Sequence, residues 1–494
     1  MTTSQLVAPK RREALGAFVA AQSWSLVVGG AMLGWSLALF GIVRSDYHNF
    51  RLAKFDLGNM VQAVWSTAHG RPLEITMVTG EQGTRLASHV DPILVLLAPL
   101  WIVAPTPLTL AAAQIAAVSL GALPVFWLAR RHLNSERTAA LVALAYLASP
   151  WVAWNALEVF HPVALAIPLF LFSVWFLDGD RLWLFAACAV PAVLTGELMG
   201  LTIAALGIWY ALARGRRAGY AVAALGTLWT LIAIYIVVPG FSGGSSVFYG
   251  YYGHVGGSPF GVIRTAVTEP STILSALTTG NDVRYVIALT LPLAGMFVLA
   301  PGLAAVALPQ LLANGLSYSP IATSPGHHYS AAVIPFLVAA TIFGLARLAP
   351  NRQVSIATLI LGTSLGFALV FGAWPGAPGE IRLIHTDVTP AKVEALRAAL
   401  ELVPAEAPVT ATNRVGAHLS ARRQIFTVPV VARSDWIVLD SSDAYIPGIV
   451  VGRENPELLR TFLRRIETST KWEKLLDRNG VFVFRRVSND EGTA

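Results

Sequence analysis

The chain has 494 residues, of which 55% are hydrophobic and only 13% charged, and its mean hydropathy is +0.60. Soluble domains carry roughly 25% charge, so this composition excludes a water-soluble globular fold and requires lipid to take up the apolar surface. The net charge of +7 does not point to nucleic acid, because the basic residues sit in short loops between apolar runs, where they report membrane topology.

Residues 1–22 carry Lys10, Arg11 and Arg12 and lead into an apolar run at Ser23–Val43. That run is longer than the core of a signal peptide and lacks a small-residue cleavage site, so it reads as a retained first span with a cytoplasmic N-terminus. Arg130, Arg131 and Arg137 mark a second cytoplasmic loop; Arg214, Arg216 and Arg217 mark a third; Arg347 and Arg352 mark a fourth. Alternation between these loops predicts spans near 23–43, 106–129, 138–157, 162–177, 182–195, 198–213, 218–239, 283–300, 301–316, 330–348 and 353–373. About eleven crossings leave the C-terminus outside. The single cysteine, Cys188, lies in one of these runs and excludes an intrachain disulfide.

Residues 91–104 are apolar but number only about 14, short of a routine span. Counting them as a crossing would put Arg130 and Arg131 outside. They are therefore expected to form a re-entrant or interfacial helix on the outer face. Arg44–Asp91 then forms a large outer loop. Within it, Phe55–Ala68 spaces Leu57, Met60, Val61, Val64, Trp65 and Ala68 by three to four, with Asp56, Asn59, Gln62 and Ser66 on the other face. This pattern predicts an amphipathic helix on the membrane surface. Two more outer loops are expected, Phe241–Asp282 and Ser317–Tyr329, the latter holding His327 and His328.

From about Pro375 charge rises and short alternating patterns begin, so residues 375–494 are expected to form a small extracytoplasmic α/β domain. Helices are predicted at Thr389–Leu402, Gly416–Arg422 and Pro456–Thr468, and strands at Pro408–Thr412, Gln424–Val428 and Asp435–Leu439. Lys471–Val487 reads as a hairpin turning at Asn479–Gly480.

Ionisable residues at membrane depth are costly and mark candidate sites. Asp56, His89, Asp91, Glu158, His161 and Glu197 all fall at the outer ends of otherwise apolar segments. Glu158 and His161 stand at i,i+3, on one face if the helix continues. General acid–base chemistry needs a carboxylate or imidazole near the reacting hydroxyl, and phosphate-linked donors need cations, which Arg44, Arg51, Lys54 and Arg85 could supply. Arg85, His89, Asp91, His327 and His328 are candidate substrate-binding residues, and Asp56, His89 and Asp91 candidate ligands for Mg²⁺ or Mn²⁺.

The ordered motifs FDLGNMVQAVWSTAHGRPL, SHVDPILVLLAPL, PLTLAAAQIAAVSLGALPVFWLARRHL and EVFHPVALAIPLFL, with the tail VTATNRVGAHLSARRQIFTVP, resemble a bacterial and archaeal family of multispan membrane proteins with a domain of unknown function. The wider architecture resembles the GT-C glycosyltransferase superfamily. That resemblance implies an α-helical polytopic fold with an outer soluble domain. It also implies a polyprenyl-phosphate-linked sugar donor, met among membrane lipids at the outer face of the cell membrane. The superfamily's acidic first-loop position falls on Asp56, which this reading makes the candidate general base. Its motif before the surface helix matches Ser88–Pro92, and its next motif falls on Glu158–His161. The first loop here carries a single acidic residue at that position rather than a pair. A lipid or small-molecule transporter and a non-catalytic membrane scaffold remain the alternatives to a glycosyltransferase.

Overall fold

The computed structural model describes residues 23–374, 377, 388–431, 433–448 and 452–487. The basic N-terminal segment with Lys10, Arg11 and Arg12 lies outside the described residues, as does most of the link between the last span and the C-terminal region.

Four helices are long and apolar enough to cross a bilayer: Ser23–His48, Pro107–Leu133, Ala218–Ser242 and Pro350–Phe371. Glu136–Ala148 and Pro150–Leu157 form a fifth, bent by 51°. The bend follows from Pro150, which drives Ser149 out of the helical region to φ −62°, ψ 125°. Pro162–Asp178, Leu182–Val193, Met199–Arg214 and Ile334–Leu345 are apolar but too short to cover about 30 Å of hydrocarbon unaided. The expected spans 283–300 and 301–316 are not continuous helices. After Gly280–Thr290 the chain proceeds in fragments, interrupted by Pro292, by Gly295 at φ 68° and by Pro301, until Leu308–Gly315. Four or five helices are thus long enough to cross unaided, and the shorter apolar helices pack beside them in the same bundle.

The Met199–Arg214 and Ala218–Ile232 helices pack at backbone distance. Gly200 faces Gly226 and Gly207 faces Gly219, and a Cβ at any of the four would collide with the opposing backbone. Small residues in register are what lets helices approach when lipid supplies no hydrophobic drive. At one end of the bundle the buried Asp178 carboxylate accepts from Arg131 at 2.8 Å and His132 at 3.0 Å and pairs with Arg214 at 3.5 Å. Three helices are thus tied together, and two of the basic clusters meet at the same end.

The C-terminal region folds around a five-stranded sheet. β1 (Glu74–Thr76) and β2 (Gln82–Thr84) pair in the first outer loop; the sheet's strands are β3 (Val409–Ala411), β4 (Ile425–Thr427), β5 (Trp436–Asp440), β8 (Trp472–Arg478) and β9 (Val481–Arg486), in the order β4-β3-β5-β9-β8, with β6 (Tyr445–Ile446) and β7 (Arg453–Glu454) a separate pair. β3 runs parallel to β4 and β5, and β9 antiparallel to β5 and β8. The period of two along β5 separates its faces. Val438 joins Val393 and Leu396 of the Pro390–Leu402 helix, whereas Ile437 and Leu439 join Leu459 and Phe462 of Pro456–Glu467. The hairpin turns at Asn479 (φ 51°) and Gly480 (φ 74°), the left-handed pair that a two-residue turn requires. Only Asn413–Gly416 is helical in the stretch before β4. The helix expected at Gly416–Arg422 is replaced by turns, pinned by Arg422 donating to the carbonyls of Leu419 and Ala407.

The helix expected at Phe55–Ala68 is present as a π-helical turn, Lys54–Gly58, continuing into Asn59–Ala68. It is not a half-solvated surface helix. One side is covered by Pro92–Val103, whose Ile93, Leu94, Leu97 and Trp101 are buried. The polar side is covered by the C-terminal unit: Gln62 donates to Thr76 and to the backbone carbonyls of Arg422 and Arg423, at 2.9, 3.1 and 2.9 Å. Pro92–Val103, half 3₁₀ and half α, extends about 21 Å, short of a span.

Gly207→Val is expected to destabilise the bundle by about 1–3 kcal/mol, seen as a lower unfolding midpoint in detergent. Gly30→Ala, at a position with nothing within 4 Å, should leave that midpoint unchanged or slightly raised.

Candidate functional site

The end of the bundle opposite Asp178 encloses a cavity of about 1850 Å³ between the helix ends and the C-terminal unit. Nine of the residues singled out in the sequence as catalytic or substrate-binding candidates line it: Asp56, Arg85, His89, Asp91, Glu158, His161, Glu197, His327 and His328. The structure sorts them into two groups.

The first group forms where the bent fifth helix stops. The helix ends at Leu157, Glu158 turns to φ −51°, ψ 144°, and Pro162 starts a new turn. Glu158 and His161 are therefore joined by a turn, not by helical spacing. Such a break leaves backbone groups unpaired, and one buried amide satisfies them. Gln114 donates to the carbonyls of Asn155 (3.1 Å) and Glu158 (2.9 Å) and accepts the N–H of His161 (2.8 Å). Asn155 in turn donates to Ser330 at 2.7 Å, anchoring the turn that carries His327 and His328. The result is compact. Glu158 accepts the backbone N–H of His328 and lies 3.1 Å from His328 Nδ1. The His161 and His328 rings stack with centroids 3.7 Å apart. His161 Nδ1 bonds the Val159 carbonyl at 2.5 Å, which turns Nε2 toward Asp56 Oδ1, 3.7 Å away. Burial, aided by the nearby Asp56 charge, pushes the Glu158 carboxyl up to about 7.

Asp56 sits in the π-helical turn, its side chain 36% exposed to the cavity. The C-terminal unit fixes that turn: Asn413 Oδ1 accepts the N–H of Phe55 at 2.9 Å. Lys54 is wedged between Gly58 and Gly416, so close that neither glycine has room for a Cβ. Burial lowers its amine to about 8, and its nearest polar partner is Asn59 at 3.5 Å.

The second group lies on the loop before Pro92. Arg85 Nε donates to Asp91 at 2.9 Å, and His89 Nδ1 lies 3.4 Å from Glu197. Glu197 also accepts the N–H of Val90 at 3.2 Å. Burial would raise the Glu197 carboxyl, but these bonds outweigh it and hold it at about 2. The ring of Phe248 lies against His89, centroids 4.4 Å apart.

Asp56 thus belongs to one group and His89 and Asp91 to the other, so the three candidate metal ligands do not form a common cluster. Of the expected cations, Arg85 lies in the cavity and Arg51 lines it while pairing with Asp46 at 3.4 Å. Lys54 is buried behind the wall, and Arg44 is exposed on the first span. Sequence reasoning missed Gln114 and Asn413. Gln114 had a signal, being the only amide in a long apolar run; Asn413 had none, because its partner is 358 positions away.

The family model for DUF2079, described as a predicted membrane protein, matches residues 46–483. The chain belongs to the DUF2079 family. Among solved structures, the chain resembles ArnT from Cupriavidus metallidurans in the apo state, with a TM-score of 0.53 at 15% identity, covering 95% of this chain and 98% of that one. No curated protein matches the sequence. The fold of this DUF2079 member is accordingly ArnT-like: helical and polytopic, with a small C-terminal sheet unit.

Gln114→Leu keeps the volume but strands three buried backbone groups of the Glu158 turn. It is expected to destabilise the protein by about 2 kcal/mol or more, measured as a fall in the unfolding midpoint.

Proposed function

We propose that this DUF2079 protein is a membrane glycosyltransferase using a polyprenyl-phosphate-linked sugar donor at the extracytoplasmic face, with Asp56 as general base. The observation that carries this reading is the placement of Asp56: a carboxylate open to a cavity lined by both apolar and polar side chains. Phe241, Ile263 and Leu312 line the cavity with exposed apolar side chains, a surface suited to a lipid chain. Ser442, Asp443 and Tyr445 of the C-terminal unit line the opposite wall, where a water-soluble hydroxylated acceptor can enter.

In the proposed step Asp56 takes the proton of an acceptor hydroxyl. The hydroxyl oxygen bonds to the anomeric carbon, and the bond from that carbon to the phosphate oxygen breaks with its electron pair. Arg85 holds the charge that develops on the departing polyprenyl phosphate. His161 stands beside Asp56, Nε2 3.7 Å from Oδ1. Residues 23–374 act as the membrane domain and 375–494 as the extracytoplasmic domain. The meeting of Arg131 and Arg214 at Asp178 supports a cytoplasmic placement of that end, since Arg-rich short loops stay inside.

Asp56→Asn keeps the shape and removes the base. It should cut transfer from a synthetic polyprenyl-phosphoryl hexose by about 10²- to 10⁴-fold at unchanged expression, and full activity would exclude Asp56 from the role. For orientation, Ser442→Cys in a Cys188→Ala background should react with an impermeant thiol reagent on intact cells. Labelling only after lysis would invert the topology.

A further inference from the structure

We infer that Glu158, His161 and His328 bind a divalent transition-metal ion, with Asp56 beside its open fourth position. One ligand atom from each of the first three lies within 4.8 Å of the others, and Asp56 Oδ1 lies 3.7 Å from His161 Nε2. Donors around a tetrahedral ion at about 2.1 Å stand roughly 3.4 Å apart, so side-chain rotations that move the outer atoms by about 1 Å close the shell.

Three further observations point to a cation rather than to a self-contained hydrogen-bonded cluster. The first is charge. Among the described residues neither Asp56 nor Glu158 has an Arg or Lys partner; each faces only imidazole. A divalent ion held here would supply the positive counterpart that two neighbouring carboxylates otherwise lack, whereas a buried unpaired charge is costly. The second is the outer shell. The Nδ1 of His161 is committed to the Val159 carbonyl, which fixes the tautomer and leaves the Nε2 lone pair for a ligand, as the second shells of metal-bound histidines do. Gln114 holds both ends of the same turn, so the ligands are preorganised. The third is His327, only 7% exposed, whose Nδ1 has no hydrogen-bond partner and which lines the same cavity.

The donor set also selects the ion. Two imidazole nitrogens with carboxylate oxygens suit Zn²⁺ or Mn²⁺ over Mg²⁺ and Ca²⁺, which take all-oxygen shells. The ligand set differs from Asp56, His89 and Asp91, because the latter two are engaged by Glu197 and Arg85.

Metal content tests this without any sugar substrate, so it stands or falls separately from the transferase reading. The full chain, purified in detergent through a tag without histidines and stripped with chelator, is titrated with Zn²⁺ alone against a chromophoric chelator. About one equivalent should bind, with a Kd in the micromolar range or tighter, and millimolar Mg²⁺ should not displace it. Glu158→Gln and His328→Ala should each weaken binding by at least tenfold, and His89→Ala should leave it unchanged. Should a variant not fold, the wild-type protein decides: Zn²⁺ is expected to raise its unfolding midpoint. Absence of binding to the wild-type chain at 100-fold excess Zn²⁺, or binding equal in folded Glu158→Gln and His328→Ala, overturns the proposal.

Discussion

The site depends on one docking contact, the seating of the Lys54–Ala68 helix between Pro92–Val103 and the C-terminal unit. Asp56 stands at the start of that helix, and nothing local fixes its direction: the residue before the turn, Ala53, offers no side-chain cap. Orientation comes instead from residues some 350 positions downstream. Asn413 accepts the Phe55 N–H, and the carbonyls of Arg422 and Arg423 receive Gln62. Buried amides of this kind are expensive to leave unpaired, so the helix and the sheet unit hold one geometry together. Phe50 reinforces it by packing within the sheet unit's own apolar cluster rather than with the bundle.

Two carboxylate–histidine groups face one cavity, and their electrostatics differ for a structural reason. Glu197 receives hydrogen bonds from His89 and Val90, donors aimed at its charged form, and stays ionised. Glu158 is more deeply buried and stands near a second carboxylate, so its charged form is disfavoured. Pairs of acids pushed apart in this way give one cavity both a proton holder and a fixed anion. Arg85, bonded to Asp91 at 2.9 Å, adds the positive counterpart between the groups.

Much of this was legible in the sequence. Hydropathy gave the long spans, because lipid imposes a length and a composition that short windows reveal. The β9 hairpin was legible from Asn479–Gly480, since only such residues tolerate the turn. The rule that ionisable groups at membrane depth mark candidate sites singled out Asp56, His89, Asp91, Glu158, His161 and Glu197, all of which line one cavity. What was not legible was pairing. Glu158 and His161 suggested a helix face, but the helix breaks at Leu157 and Gln114 rebuilds the connection from another span. Gln62 and Ser66 marked a polar face, and polarity was read as exposure to water; both are buried. Gln62 bonds the backbone of a distant loop, which carries no side-chain signature. The 283–316 stretch was apolar enough for two spans, and the prolines and Gly295 that fragment it outweighed hydropathy.

Such fragmentation constrains where a reactive centre can sit in this fold. Backbone groups freed from helical bonding cannot face hydrocarbon, so each irregular stretch must find protein partners or water. Here the break at Glu158, the turn at Thr195–Glu197 and the loop at His327–Ser330 all come together at one end, and each is satisfied by another. Gln114 serves the first, Ile93 donates to the Leu194 carbonyl beside the second at 3.0 Å, and Asn155 and Asn314 hold the third. Broken helices thus do two things at once. They expose carboxylates and imidazoles to a solvated pocket, and they oblige those side chains to be held rigidly, because the same hydrogen bonds that keep the backbone out of lipid set the positions of Glu158, His161, His328 and Glu197. Loosening the backbone and displacing the site are therefore one event, which is why the residues most worth mutating in this protein are the uncharged amides behind the cavity as much as the acids within it.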